Sequence, residues 1–214
     1  MKTYPLNLIG LDGQKVIVIG GGAVSARKVS SLIEAGASPV VISPEVVDSI
    51  RDFAQAGTVQ WLERPFQVGD LEGAFLVIAA TDDPAINQLA WQEARATGTL
   101  INVVDDPAHS NFILPAVVRS GEVTVAVSTG GSSPALARRM REQLQVEIGA
   151  EIGLLAEIMA ELRPELLARF QTGAPRLQAA LKIVDSDILE VIEAQGVNAG
   201  RVYARAMLEQ SDQD

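Results

Sequence analysis

The sequence contains no cysteine and a single histidine, His109, among its 214 residues. The absence of cysteine excludes disulfides, thiolate metal ligands and a cysteine nucleophile, and one histidine cannot build a multi-histidine metal centre. We therefore expect no resident metal site. Aromatic residues make up only 4% of the chain, so the core is expected to be aliphatic, as in parallel sheets covered by helices.

Basic residues are also scarce. Seventeen Lys and Arg stand against 27 Asp and Glu, which gives a net charge of −10. Such a chain is not expected to bind nucleic acid or an anionic membrane, because both need a basic face, although a local group of arginines can still hold a small anion. No run of about 18 apolar residues occurs, and the first residues lack the apolar core of a signal peptide. We therefore expect a soluble, cytoplasmic protein.

Short apolar runs alternate with amphipathic stretches in the first half of the chain. The β-rich runs cover residues 15–19, 39–42, 74–80 and 99–104, and the helical pattern is clearest over 24–35 and 84–96. Alternation of this kind predicts right-handed crossovers and a parallel sheet. We predict an α/β fold with a Rossmann-like, doubly wound sheet in residues 1–112.

The pattern then changes to a predicted β-hairpin, with strands at 112–118 and 122–128 and a turn at 119–121. Ser133 and Pro134 then begin a helix as N-cap and first helical residue. Because an isolated hairpin is weakly stable, residues 113–145 are predicted to be a dimerisation region.

The remainder, residues 146–214, is predicted to be a helical C-terminal domain. An apolar stripe continues across Pro164 and is broken at Gly173. Two further helical segments are expected at 176–184 and 188–208, and the polar end at 209–214 is expected to fray.

The most informative motif follows the first strand. Gly20 permits a tight turn, Gly22 allows the backbone to approach a pyrophosphate, and Ser25 takes the third, small-residue position before a helix. In this strand–turn–helix context the motif predicts a dinucleotide site. The alternative is a glycine turn that binds nothing.

The end of the second strand bears on which dinucleotide is bound. Ser43 lies at the strand tip with Glu45 two residues beyond, in place of the Asp or Glu that often holds the ribose hydroxyls. Ser43 can bond a ribose hydroxyl, and no arginine occurs in this tip to receive a 2′-phosphate. We therefore predict NAD rather than NADP.

Polar residues also follow two later strands, where α/β sheets bind their ligands. Thr81 is predicted to lie beside the nicotinamide, whereas Asp82 and Asp83 can equally form a helix N-cap. Asp105 can act as a general base facing the nicotinamide. The alternative is that Asp105 and its neighbour Asp106 form an ordinary turn before a proline.

A second candidate anion site opens the helix after the hairpin. It combines hydroxyls and glycines with three arginines, namely Ser128, Thr129, Gly130, Ser132, Arg138, Arg139 and Arg141. Helix N-terminal N–H groups and guanidinium groups suit a ligand rich in carboxylates or phosphates. The alternative is a capped helix with a solvated arginine face. His109 lies in a loop, where a surface role is commoner than a catalytic one.

Together these motifs resemble the precorrin-2 dehydrogenase family, which also forms the N-terminal module of siroheme synthases. The resemblance covers residues from about 5 to 145 and extends more loosely into the helical remainder. It rests on Pro5, Leu6 and Leu11 and on five blocks in order, at 18–28, 79–83 with Asn87, 102–107, 112–116 and 127–134.

The resemblance implies NAD-dependent oxidation of precorrin-2 to sirohydrochlorin, and in some members insertion of Fe²⁺ to give siroheme. Precorrin-2 is a reduced tetrapyrrole fringed with acetate and propionate groups, which suits the arginine-bearing helix. The family's catalytic carboxylate falls on Asp105, and the family is homodimeric. Its dinucleotide contacts fall on Gly22, Ala23, Val24, Ser43, Pro44 and Glu45.

The sequence also departs from the family. Many relatives carry Cys where this chain has Asn111, which removes a thiol from any metal handling, and no methyltransferase module is present. Two alternatives to the dehydrogenase remain open: a non-catalytic regulatory domain that senses NAD, and a chelatase without the redox step.

Overall fold

The computed structural model of the chain describes residues 2–210. The chain divides into two compact units, Met1–Leu114 and Pro115–Asp214. The predicted division into three regions stays a prediction. Residues 211–214, the end of the tail that was expected to fray, lie outside the described residues.

The first unit contains a five-stranded sheet in which every pairing is parallel. The strand order is β3-β2-β1-β4-β5, which is the doubly wound arrangement of a Rossmann-like fold. The prediction of fold class is therefore confirmed. The strands are β1 (Val16–Ile19), β2 (Val40–Ile42), β3 (Gln60–Leu62), β4 (Leu76–Ala79) and β5 (Leu100–Val103).

Three helices connect these strands: α1 (Ala23–Glu34), α2 (Asp48–Gln55) and α3 (Pro84–Thr97). Asp83 caps α3 by accepting a hydrogen bond from the Ala85 N–H at 2.8 Å, and Gly98 ends the helix in the left-handed conformation at φ +75°. The alternative interpretation of Asp83 as a helix cap is therefore correct.

Side chains of the central strand point alternately into two core layers, as a sheet covered on both faces requires. Val16 and Val18 pack in one core layer with Val29 of α1, whereas Ile17 and Ile19 pack in the other. All four strand residues are fully or almost fully buried. An unalternated apolar run therefore produces a strand that faces two cores.

The segment after β5 folds back along that edge strand and satisfies its backbone. The Asn111 side chain accepts a hydrogen bond from the Ile101 N–H and donates one to the Thr99 carbonyl, both at 2.8 Å. The Asn111 N–H also donates to the Ile101 carbonyl at 3.0 Å. An amide side chain provides both a donor and an acceptor at this edge. A thiol is a weaker donor and a weaker acceptor.

The second unit begins with an antiparallel hairpin of β6 (Ala116–Ser120) and β7 (Val123–Val127). Ser120 pairs with Val123, so the turn consists of Gly121, at φ +53°, and Glu122. The predicted turn at 119–121 is therefore displaced, because Arg119 and Ser120 extend the first strand. Gly121 lies against Gly153, where an added Cβ would be 3.3 Å from the Gly153 Cα.

Five helices complete this unit: α4 (Pro134–Glu147), α5 (Ala150–Arg169), α6 (Gly173–Val184), α7 (Ile188–Gln195) and α8 (Val197–Gln210). Ser133 caps α4 as predicted, accepting from the Leu136 N–H at 3.2 Å. Helix α5 continues through Pro164. Gly173 ends the apolar stripe and is also the first residue of α6.

The single helix predicted over 188–208 is in fact two helices. Gly196 adopts φ +85° and separates α7 from α8, and Gly200 then allows close packing, since a Cβ there would be 2.6 Å from Ile192. The buried core of this unit is formed by α5 to α8. No helix within residues 2–210 is both long enough and apolar enough to span a bilayer.

We expect Asn111→Ala to lower the free energy of unfolding by about 2 kcal/mol, because the Ile101 N–H and the Thr99 carbonyl would lose their partner at a buried edge. Urea unfolding measures the change. The exposed Asn7→Ala is the control and should unfold like the wild type. Equal stability of the two variants would contradict this role for Asn111.

Candidate functional site

A cavity of about 460 Å³ opens in the first unit, at the carboxyl ends of β1, β2 and β4. Its volume falls in the range of small-molecule sites, and ligands of open α/β sheets bind at this edge. The loops after the three strands supply the lining. The lining residues are Gly20, Gly21, Gly22, Ala23, Val24, Ser43, Glu45, Val46, Val47, Ala80, Thr81 and Asp82.

Two glycines allow the three loops to meet. A Cβ added to Gly20, which adopts φ +108°, would lie 2.4 Å from the Ala80 carbonyl oxygen. A Cβ added to Gly21 would lie 1.9 Å from the Glu45 carbonyl oxygen. Both distances are far below van der Waals contact, so neither position can carry a side chain without movement of the backbone.

Gly22 differs, because an added Cβ would meet nothing within 4 Å. This residue precedes α1 as an N-cap without a side-chain hydrogen bond, and the first intrahelical bond runs from the Ala26 N–H to the Gly22 carbonyl. The N–H groups of Ala23, Val24 and Ser25 therefore precede the helical ladder at its positive dipole end. A glycine next to free N–H groups in an open cavity fits the pyrophosphate of a dinucleotide.

Ser25 lies inside this turn. Its side chain is fully buried, and its hydroxyl donates to the Ala80 carbonyl at 3.3 Å. The third position of the glycine motif thus ties α1 to the loop after β4.

The tip of β2 is fixed by its own side chain. The Ser43 hydroxyl donates to the Glu45 carbonyl at 2.6 Å, so only its oxygen lone pairs are available to accept from a ribose hydroxyl. Glu45 is exposed and lines the cavity, whereas Pro44 is exposed and is not among the lining residues. The predicted cofactor roles of Ser43, Pro44 and Glu45 stay predictions.

One cationic neighbour of this tip was not predicted from the sequence. Arg51 lies on α2, and its Nη2 approaches the carbonyl oxygen of the lining residue Val46 at 3.5 Å. The prediction of NAD over NADP rests on residues 43–45 alone. Helix α2 is what returns Arg51 to the loop.

Thr81 lies on the cavity wall, as the prediction of a cofactor contact requires. Its hydroxyl oxygen accepts from the Asp83 N–H at 3.2 Å, and its carbonyl accepts from the Asn87 amide at 3.0 Å. The Asn87 side chain therefore holds the loop after β4 in place. Asp82 also lines the cavity and is exposed.

Asp105 is the second residue after β5 and adopts φ +61°. It is the only non-glycine residue with positive φ among residues 2–210. Asp tolerates this conformation better than most residues, yet strain of this kind is concentrated at functional sites. Asp105 also lies within the turn that the Asp106 N–H closes on the Val103 carbonyl at 3.1 Å, so the turn interpretation is correct for its backbone, and its role as general base stays a prediction.

The neighbouring Asp106 does have a turn role. Its carboxylate accepts from the N–H groups of Ala108 and His109, at 3.1 and 3.2 Å, and bonds the His109 Nδ1 at 2.6 Å. The hydrogen bond from His109 lowers the pKa of Asp106 below its usual value. His109 also meets the Trp91 ring edge-on at 6.1 Å, so it is a structural partner in this turn.

Lys28 of α1 provides a cation in the field of Asp105. Burial lowers the pKa of the Lys28 ammonium, Arg27 lowers it further, and the Asp105 carboxylate acts in the opposite direction.

The second candidate site lies in the second unit and is described by itself. The Thr129 hydroxyl donates to the Ser133 carbonyl at 3.0 Å, the Ser132 hydroxyl donates to the Thr129 carbonyl at 2.6 Å, and Ser128 accepts from the Gly130 N–H at 3.2 Å. These hydroxyls build the loop itself. Their predicted substrate contacts stay predictions.

The arginines that follow this loop are accessible. Arg138 and Arg139 are exposed on α4, and Arg138 donates through Nε to Glu142 at 2.9 Å. Arg138 chiefly lowers the pKa of Glu142, and Arg141 and Arg139 add to the effect. An exposed ion pair of this type is weak, so a ligand carboxylate can compete with Glu142 for the guanidinium.

Comparisons with known proteins agree with this geometry. A family model described as putative NAD(P)-binding matches residues 8–116, and one described as sirohaem biosynthesis protein central matches residues 121–146. A solved structure, "SirC, precorrin-2 dehydrogenase", matches 99% of this chain and 100% of its own with a TM-score of 0.75. Its sequence identity is 24%, so this likeness establishes the shared fold.

Two curated relatives are siroheme synthases. Siroheme synthase 1 of Aeromonas salmonicida is 38% identical over 189 residues, which are 88% of this chain and 40% of that protein. The siroheme synthase of Methylobacillus flagellatus is 38% identical over 204 residues, which are 95% of this chain and 42% of that protein. The chain thus spans about two fifths of the length of these relatives.

The fold and the glycine-lined cavity define a Rossmann-type dinucleotide-binding chain. It belongs to the putative NAD(P)-binding family, whose model covers just over half of its residues.

A pair of glycine substitutions separates binding from folding. We expect Gly22→Ala to weaken NAD⁺ binding about tenfold or more, because the new methyl group enters the space where a pyrophosphate approaches the backbone. Its stability should fall by less than about 1 kcal/mol, since the site has room and only the N-cap preference changes. Calorimetric titration and urea unfolding measure the two effects.

Gly21→Ala is the matched variant. It should destabilise the fold by about 2 kcal/mol, because the added Cβ would overlap the Glu45 carbonyl. If Gly22→Ala binds NAD⁺ as the wild type does, the cavity is not the pyrophosphate site.

The Asp106–His109 pair predicts a dependence of stability on pH. Because folding lowers the pKa of Asp106, its contribution is complete above the unfolded pKa of about 4 and is lost as pH falls through the lower folded value. We expect Asp106→Asn to be less stable than the wild type at pH 7, and the difference to shrink at pH 3. Urea unfolding at several pH values checks this, with the exposed Asp12→Asn as control. A difference that stays constant between pH 7 and pH 3 would contradict it.

Proposed function

We propose that this protein is an enzyme that uses NAD⁺ to oxidise precorrin-2 to sirohydrochlorin in siroheme biosynthesis. One observation carries the proposal: Asp105 lies at the carboxyl end of β5, on the sheet edge where the ends of β1, β2 and β4 line a cavity of a size that suits a dinucleotide. The relatives that are siroheme synthases, and the neighbouring fold named as a precorrin-2 dehydrogenase, support this choice of substrate.

The oxidation removes one hydride and one proton from the tetrapyrrole. Bound NAD⁺ supplies the hydride acceptor. The Asp105 carboxylate takes the proton as general base. The backbone of Gly20, Gly22, Ala23 and Val24 holds the pyrophosphate, and the lining residues Ser43, Glu45 and Thr81 flank the remainder of the cofactor, with Pro44 between the first two in the chain.

The substrate carries several carboxylates, and we assign their recognition to the start of α4. The Ser128–Ser132 loop presents the helix N-terminus, and Arg138 and Arg139 present exposed guanidinium groups. Guanidinium groups pair bidentately with carboxylates, so they suit the acetate and propionate arms of precorrin-2.

The protein is also proposed to be a cytoplasmic homodimer. Leu136 and Met140 lie one turn apart on α4 and are 52% and 42% exposed, which gives this helix an apolar surface beside the hairpin. Insertion of Fe²⁺ into sirohydrochlorin is a second candidate activity, favoured by the siroheme product named for the relatives. In that reaction Asp105 would accept pyrrole protons.

The experiment is an assay of NADH formation with precorrin-2 and NAD⁺, followed by addition of Fe²⁺ to the same sample. We expect NADH from the wild type, and at least about a 100-fold lower rate from Asp105→Asn, since a general base contributes that much or more. Asn tolerates φ +61° and keeps the side-chain shape, so the variant should retain its stability and its NAD⁺ affinity.

The same assay separates the alternatives. NAD⁺ binding without NADH formation by the wild type would refute the dehydrogenase and leave the regulatory NAD-sensing domain. Fe²⁺ insertion without NADH formation would identify the chelatase without a redox step. An Asp105→Asn variant as fast as the wild type would remove Asp105 from the catalytic role.

A further inference from the structure

Arg51 lies close to the part of the cavity that follows β2. Seven residues separate it from Ser43 in the chain, but α2 folds it back so that its Nη2 is 3.5 Å from the Val46 carbonyl oxygen. Val46 and the next residue, Val47, both line the cavity. The guanidinium group therefore borders the loop where the adenosine ribose of a dinucleotide is bound.

An aromatic ring holds this guanidinium in place. The Arg51 Cζ lies 5.4 Å from the centroid of the Trp61 ring, within cation–π distance. The Trp61 Nε1 in turn donates to the Ser43 carbonyl at 2.9 Å. The cation is thus tied through Trp61 to the strand tip that is predicted to meet the ribose hydroxyls.

Most of the hydrogen-bonding capacity of Arg51 is open to a ligand. Within residues 2–210, its contacts to oxygen are the 3.5 Å approach to Val46 and a 4.0 Å ion contact with Asp48, whose side chain is 99% exposed. A guanidinium carries five N–H donors in a planar fork that matches a phosphate. The contact with Asp48 is exposed and weak, so a phosphate dianion can displace it.

We propose that Arg51 is a specificity-determining residue that receives the 2′-phosphate of NADP⁺, so that this chain binds NADP⁺ as well as NAD⁺. The inference rests on the proposed dinucleotide cavity and deepens it. It leaves the prediction of NAD in place and extends it, because the sequence favoured NAD over NADP on the ground that residues 43–45 contain no arginine. Arg51 supplies that cation from α2.

Glu45 limits this preference. Its carboxylate lies on the same loop and lines the cavity, and it repels a 2′-phosphate but not the 2′-hydroxyl of NAD⁺. One cation and one anion at the same tip account for a site that accepts both cofactors. A site without Arg51 would bind NADP⁺ more weakly and NAD⁺ as before.

Calorimetric titration of the full chain with NAD⁺ and with NADP⁺ tests the proposal without the tetrapyrrole. The wild type should bind both. Arg51→Met should weaken NADP⁺ binding about tenfold, since a charge-assisted hydrogen bond contributes on this scale, and leave NAD⁺ binding within about twofold. Arg95→Met, an exposed change of the same charge on α3, should leave both affinities unchanged.

A second variant tests the opposing charge. Glu45→Gln should raise NADP⁺ affinity about threefold, and the gain should shrink at high salt because the charges are solvent-exposed. Its expected effect on NADP⁺ is opposite to that of Arg51→Met, so a general loss of folding cannot imitate the pair of results.

Three outcomes overturn the proposal in distinguishable ways. A wild type that binds NAD⁺ but not NADP⁺ refutes the role of Arg51 and leaves the proposed function intact. Equal weakening of both dinucleotides in Arg51→Met assigns the residue to stacking on adenine instead. A wild type that binds neither dinucleotide refutes the cavity itself, and the proposed function with it.

Discussion

The site depends on a steric constraint at two adjacent glycines. Gly20 and Gly21 bring the end of β1 against the Ala80 and Glu45 carbonyl oxygens, at distances where no Cβ fits. Backbone hydrogen bonds close the same junction, from the Gly20 N–H to Ile42 and from the Val47 N–H to Gly21. With the three strand ends locked together, the next residue, Gly22, is left facing open space beside the start of α1. The cavity and its anion-binding N–H groups both follow from this contact.

At the end of β5, hydrogen bonds rather than close contacts fix the backbone. The Ser110 hydroxyl donates to the Asp106 carbonyl at 2.8 Å, and Asn111 bridges two backbone groups of β5. The turn between them holds Asp105 at positive φ. A backbone held in this way fixes the position from which the Asp105 side chain extends, which suits a general base. The polar residues after Asp105 thus serve its placement.

The sequence predicted those parts of the fold that depend on long apolar runs. Strong patterns and clear glycine ends mark strands β1, β2, β4 and β5 and helices α1 and α3. By contrast, β3 has only three residues, with Gln60 exposed, and α2 buries only Ile50. Local patterns this short carry little signal. Because α2 was not predicted, Arg51 was not expected near Val46, where that helix places it. The glycine motif was recognisable because its chemistry is local, while the left-handed Asp105 and the bridging Asn111 depend on the tertiary turn.

The central claim is that a dinucleotide lies with its pyrophosphate on the glycine turn. Titrating isotope-labelled full-length protein with NAD⁺ and following the backbone amide resonances tests this directly. We expect the amides of residues 20–25 to shift most, with one common dissociation constant, and those of residues 97–99, before the amino end of β5 and at the opposite edge of the same sheet, to remain unchanged. Shifts that leave residues 20–25 unaffected while NAD⁺ binds elsewhere would contradict it.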